Sequence, residues 1–96
     1  MQKEEILQTI SKLLPDLKKR YHIAHLSLFG SYARGDADKQ SDVDLLVDFS
    51  VTPDLLTFIE LEEFLSEKVG KKVDLIPQRK LKASLKNKVM KEAIAL

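Results

Sequence analysis

Asp42 and Asp44 stand two residues apart in Ser41-Asp42-Val43-Asp44-Leu45. On an extended strand the side chains alternate, so both carboxylates leave the same face, roughly 6 to 7 Å apart at the backbone. Two carboxylates that close repel, and without a cation one would have to take up a proton, so the pair suits a hard divalent metal. Asp74 has the same relation to Lys72-Val73-Asp74-Leu75-Ile76: Val73 and Leu75 point to one side and Asp74 to the other. If the two strands share a sheet, three carboxylates meet on one face. Such a set can hold two Mg²⁺ ions about 3.5 to 4 Å apart, the spacing that stabilises the entering and leaving oxygens of a phosphoryl or nucleotidyl transfer.

Gly30-Ser31 supplies a second element of that chemistry. A glycine at a strand end lets backbone approach a phosphate with no Cβ in the way, and the N–H groups opening the next turn point at the anion. Ser31 adds a hydroxyl donor, and Arg34, one turn on, offers a planar fork of donors to the same phosphates. Gly30 to Gly35 also fits G-x-x-x-x-G, but Asp36-Ala37 follow where a P-loop needs Lys-Ser/Thr, so that reading fails. Taken singly, Asp-Val-Asp is also what a solvated strand face looks like, and Gly-Ser is also a plain turn. Their order is the signal: Gly-Ser, ten residues (32 to 41), Asp-x-Asp on a strand, then a later strand aspartate.

The elements that must position these residues follow from periodicity. Ile6, Leu7, Ile10, Leu13, Leu14 and Leu17 trace an amphipathic helix over about residues 3 to 20, with Pro15 expected to kink it or start a new first turn. Residues 25–29 read as a short strand, 30–34 as one helical turn, and 36–41 as a polar loop. Residues 42–49 alternate, with Val43, Leu45, Val47 and Phe49 facing one way and Asp42, Asp44, Leu46 and Asp48 the other. Thr52-Pro53-Asp54 resembles a helix start with a capping hydroxyl, and Leu55 to Val69 is helical up to Gly70. A third strand, 72–76, is closed by Pro77, and Leu81, Leu85, Val89 and Ala93 mark a last helix. The order α, β, short α, β, α, β, α predicts helices packed on one face of a small sheet around one core.

Composition agrees with a single folded unit, residues 1–96. At 96 residues, 44% hydrophobic and 32% charged, the chain is too short for two cores and too apolar to stay disordered. A formal charge of +1 supplies no global drive toward nucleic acid or anionic membrane, so direct nucleic-acid binding is not expected. The absence of cysteine excludes disulfide scaffolds and thiolate zinc sites. No apolar run approaches the roughly 18 residues of a membrane span, and the N-terminus does not read as a signal peptide, which predicts a cytoplasmic protein. Charge is sorted along the chain: ten acids and one base from Asp36 to Glu67, then nine bases and one acid from Lys68 to Lys91. Both blocks fit solvated helix faces, and both are candidate docking surfaces for an anion or a charged partner.

Gly30-Ser31-Tyr32-Ala33-Arg34-Gly35, Ser41-Asp42-Val43-Asp44-Leu45 and Val73-Asp74-Leu75-Ile76 resemble the signature of the DNA polymerase beta-like nucleotidyltransferase superfamily. End to end, the chain is similar to the minimal nucleotidyltransferase (MNT) antitoxins of HEPN/MNT toxin–antitoxin pairs. The resemblance implies an α/β (α+β) fold with a small mixed sheet, and Mg²⁺-dependent transfer of AMP from ATP. It implies Asp42 and Asp44 as metal ligands, Asp74 as third ligand and base, and Gly30-Ser31 as holder of the triphosphate. The acceptor it implies is a tyrosine hydroxyl on a partner HEPN ribonuclease toxin in a hetero-oligomer. Arg34 as a phosphate contact extends the motif rather than following from it. The competing reading is a binding antitoxin that neutralises its toxin without catalysis. A transferase acting on a small molecule is disfavoured, because no second domain is there to hold the acceptor.

Size supports a partner independently. A ligand pocket of roughly several hundred Å³ needs walls from more than one layer, and this chain has barely one core. His22 and His25 are expected at surface or strand-edge positions rather than on a metal. Tyr32 could stack on a base but is expected to pack beside the short helix, and Phe29, Phe49, Phe58 and Phe64 are expected in the core.

Overall fold

A computed structural model describes residues 2–96. Helix α1 (Lys3–Tyr21) presents Ile6, Ile10, Leu14, Leu17 and Tyr21 as one buried stripe. It runs as one helix through Pro15, so no new first turn starts there. Pro15 is exposed, as is Ser11, whose carbonyl loses its helical donor on the exposed side, where solvent can satisfy it. The helix ends at His22 in the left-handed conformation, φ 57°, and the His22 carbonyl accepts bonds from Ser50 N at 2.8 Å and Ser50 Oγ at 3.1 Å.

Strand β1 (Ile23–Phe29) leads directly into α2 (Gly30–Arg34), and β2 (Val43–Phe49) returns antiparallel to β1. Helix α3 (Leu55–Val69) then carries the chain to β3 (Val73–Pro77), which pairs parallel with β2. The hydroxyl expected to cap α3 is not used: Asp54 Oδ1 accepts from Thr57 N at 2.7 Å, and Pro53 lies one residue outside. A carboxylate reaching the third helical N–H is the better acceptor for that orphan donor. Pro77 belongs to β3, opposite Val47, where an edge strand tolerates a residue with no N–H to donate.

A 3₁₀ turn (Gln78–Lys80) precedes α4 (Ala83–Glu92), and a two-residue strand β4 (Ile94–Ala95), not expected from the sequence, closes on β1. The sheet order is β3-β2-β1-β4. Helix α4 is shorter than expected and buries none of its residues; Leu85 and Met90 remain 49% and 44% exposed.

The core lies between α1, α3 and one face of the sheet, where Leu26, Leu28, Val43, Leu45, Val47, Val73 and Leu75 meet the helical stripes. Tyr32 joins this cluster, whereas Phe49, Phe58 and Phe64 only flank it. Phe29 is not part of the cluster; it stands opposite Asp44 on the other face. No polar or charged side chain is fully buried among the described residues, and none of their helices is long and apolar enough to cross a membrane.

Edge strand β3 has its outward N–H groups occupied by α3 side chains. Val73 N donates to Ser66 Oγ at 2.9 Å and Leu75 N donates to Glu62 Oε2 at 2.8 Å. Asp74 sits between these two bonds.

Candidate active site

The site is assembled at the start of β2. Asp44 and Asp74 are direct register partners in the parallel β2–β3 pair, flanked by the core pairs Val43–Val73 and Leu45–Leu75. Since core residues alternate with them, both aspartates project from the face opposite the main core. Asp42 immediately precedes β2, held there by the Val43 N to Lys72 O bond of 2.9 Å, and its Oδ2 lies 3.9 Å from Lys72 Nζ.

Across the other edge of β2, Phe29 is the register partner of Asp44, so the residue after it, Gly30, falls beside the same carboxylate. Gly30 has φ +75°, and a Cβ there would overlap Asp44 Oδ2 while meeting Cγ at 3.1 Å and Cβ at 3.2 Å. No side chain fits, and the left-handed backbone independently favours glycine. The turn closes through Ser31, whose carbonyl accepts from Gly35 N at 2.9 Å and Asp36 N at 3.0 Å. Tyr32 is buried, with the Lys71 ammonium 5.8 Å from its ring centre. Its ring therefore packs inward rather than offering a face to a base.

Half-burial pushes the Asp44 carboxyl above the ordinary carboxylate range, the charges of Asp74 and then Asp42 push it further, and the charge of Arg34 pulls it back. Asp74 and Asp42 thus both act on Asp44. Among the described residues, no three acidic or imidazole groups already stand in a metal-holding arrangement. The donor set nevertheless fits a hard dication: it is all oxygen, it is like-charged, and its central member is destabilised as an anion until a cation joins it.

Arg34 is turned toward two carboxylates. Its Nε donates to Asp36 Oδ2 at 3.1 Å and its Nη1 to Glu92 Oε2 at 3.3 Å. Neither Asp36 nor Glu92 belongs to the sequence motif. Asp36 is a near neighbour that turn geometry could have suggested, but Glu92 is brought in from α4 and carries no local signal. His22 and His25 are exposed, and His25 pairs with Asp48 rather than with a site aspartate. A cleft of about 370 Å³, walled by Phe49, Pro53, Phe58, Pro77 and Arg79 among others, contains none of the aspartates named above.

Comparison with known proteins identifies the family. Residues 10–96 match the nucleotidyltransferase domain family. The chain is 42% identical over 91 residues to protein adenylyltransferase MntA of Thermococcus cleftensis, covering 95% of this chain and 92% of that protein. It superposes with TM-score 0.75 and 30% identity on a chain of a toxin–antitoxin crystal structure with AMP-PNP, covering 92% of this chain and 69% of the other. With TM-score 0.70 and 26% identity it matches a chain in the complex of tri-AMPylated Shewanella oneidensis HEPN toxin with MNT antitoxin, over 97% and 70% of the two chains. The match over residues 10–96 and the 42% identity along nearly the whole of both chains place the protein in the nucleotidyltransferase family as one of its minimal members.

Proposed function

We propose that this enzyme is the antitoxin of a HEPN/MNT pair and works as a protein adenylyltransferase, moving AMP from ATP to a tyrosine hydroxyl of its partner toxin. The observation that carries this reading is the register of Asp44 against Asp74, with Gly30 packed on Asp44. It gathers carboxylates and a side-chain-free turn at one point on an open sheet face. The adenylyltransferase relative, and the AMP-PNP and AMPylated-toxin complexes of its structural neighbours, support the choice of nucleotide and acceptor. A cytoplasmic setting and the absence of direct nucleic-acid binding belong to the same reading.

In this mechanism Asp42, Asp44 and Asp74 are the residues that would hold divalent magnesium, two ions in the usual form of this chemistry. Bound there, such ions supply charge neutralisation for the triphosphate and for the in-line displacement. Gly30 lets the turn close against Asp44, which sets the turn beside the carboxylates, and Ser31 donates its hydroxyl to the phosphate chain. Asp74, at the edge of the sheet, takes the proton from the acceptor hydroxyl. The oxygen so freed bonds to the α-phosphorus as the bond to the bridging oxygen of the β-phosphate breaks, and pyrophosphate leaves. The half-exposed position of these groups means that a second surface is needed to exclude water, a role that suits the partner presenting its hydroxyl.

The test is transfer of label from α-³²P-labelled ATP with Mg²⁺ to the candidate toxin. Label on a toxin tyrosine, lost in Asp42→Asn/Asp44→Asn, is the expected result. If no label moves while toxicity is suppressed, and the double variant suppresses it equally well, the protein neutralises by binding alone.

A further inference from the structure

We propose that Glu92 is a positioning residue for nucleotide binding: it braces the Arg34 guanidinium so that the donors left over form a clamp for phosphate. The inference rests on the nucleotidyl-transfer reading above. Arg34 lies one turn beyond Gly30-Ser31, at the end of α2. Of the five N–H groups of a guanidinium, the bonds to Asp36 and Glu92 use one on Nε and one on Nη1. The second hydrogen of Nη1 and both on Nη2 remain as donors for phosphate oxygens. The Arg34 side chain is 44% exposed, which leaves them accessible.

The two braces differ in what they can do. Asp36 shares the turn with Arg34 and is 62% exposed, so it constrains the guanidinium only locally. Glu92 arrives from the last turn of α4, is 24% exposed, and fixes the direction of the fork relative to a separate element. Helix α4 buries no residue of its own, so this ion pair is one of the ties between that helix and the nucleotide turn.

Sign separates a brace from a bystander. Removing an acid beside a polyphosphate site should tighten ATP by plain electrostatics, whereas removing a brace should weaken it. The experiment is calorimetric titration of the full chain with ATP and Mg²⁺, comparing wild type, the isosteric Glu92→Gln, Arg34→Ala and the double variant, with thermal melts confirming that each is folded. The expected results are about two- to five-fold weaker binding for Glu92→Gln, the scale of a partly exposed ion pair, and no further loss when that change is added to Arg34→Ala. Unchanged or tighter binding in Glu92→Gln overturns the inference, as does a full effect that persists without Arg34. A wild-type chain that does not bind ATP removes the parent reading and the inference with it, an outcome distinct from either.

Discussion

Gly30 and Asp44 occupy each other's space: the carboxylate of Asp44 fills the volume that any Cβ at position 30 would take. Rotating the carboxylate away would relieve its Oδ2 but not the crowding at Asp44 Cβ, 3.2 Å from the hypothetical atom, because that carbon moves only with the backbone of β2. The glycine turn and the aspartate pair are therefore one structural unit, although fourteen positions separate Gly30 from Asp44 in the sequence.

Gly30→Ala should cost on the order of 3 kcal/mol of stability, the sum of a left-handed backbone and an overpacked contact. Gly70→Ala is the matched control, since Gly70 also has positive φ, +77°, but a Cβ there meets nothing within 4 Å; it should cost about 1 kcal/mol. Chemical denaturation of both variants checks the difference. Equal losses would show that Asp44 does not lodge against the turn.

Asp44 also sets a pH dependence. Its folded-state carboxyl is raised above the ordinary value of 3.8 by burial and by Asp74 and Asp42. Between the unfolded and folded values the native state binds more protons than the unfolded chain, so stability falls as pH rises through that window. At neutral pH the charge is a liability, and Asp44→Asn should stabilise the metal-free chain while abolishing transfer. The gain should vanish below the unfolded value, near pH 3.8, where both states are protonated. Melting temperatures of both proteins in chelator across that range measure it; a gain that is constant with pH would mean that it does not arise from the Asp44 charge.

The same strain should be relieved by a dication. Mg²⁺ that binds only the folded chain raises its stability by mass action, about 2.7 kcal/mol at a hundredfold excess over the dissociation constant. Wild type should show an Mg²⁺-dependent rise in melting temperature, and Asp44→Asn should show little or none. A rise of equal size in both would place the binding elsewhere.

The aspartates could be read from sequence because period-two alternation fixes which side of a strand a residue faces, and Val43, Leu45, Val73 and Leu75 mark the core side. Their meeting could not be read, since it depends on β2 and β3 being parallel neighbours in the register that pairs 44 with 74. The Arg34–Glu92 contact spans 58 positions and is made by exposed side chains, so no burial pattern announces it. Strand β4 is two residues long, too short to carry a period. The stripe at Leu81, Leu85, Val89 and Ala93 predicts a buried helix face that the isolated chain does not have. The helix expected over residues 3 to 20 persists across Pro15, because the packing of Ile10, Leu14, Leu17 and Tyr21 outweighs one missing hydrogen bond.

Asp74 is held in place by neighbours that belong to another element. The N–H groups of Val73 and Leu75, on either side of it, bond to Ser66 Oγ and Glu62 Oε2, and Ser66 Oγ in turn donates to the Glu62 carbonyl at 2.9 Å. Helix α3 thus secures the edge strand by side chains where no further strand is present to do so. Glu62→Ala removes the acceptor of a charge-assisted bond and should cost about 1.5 to 3 kcal/mol, Ser66→Ala about 1, and Glu62→Gln less than Glu62→Ala because an amide oxygen still accepts. Activity should follow the same order, through the position of Asp74 rather than through any contact with substrate. Amide hydrogen exchange at Leu75 reads the bond directly: its protection should drop in Glu62→Ala and be partly retained in Glu62→Gln. Protection unchanged in both would mean that the strand is held by β2 alone.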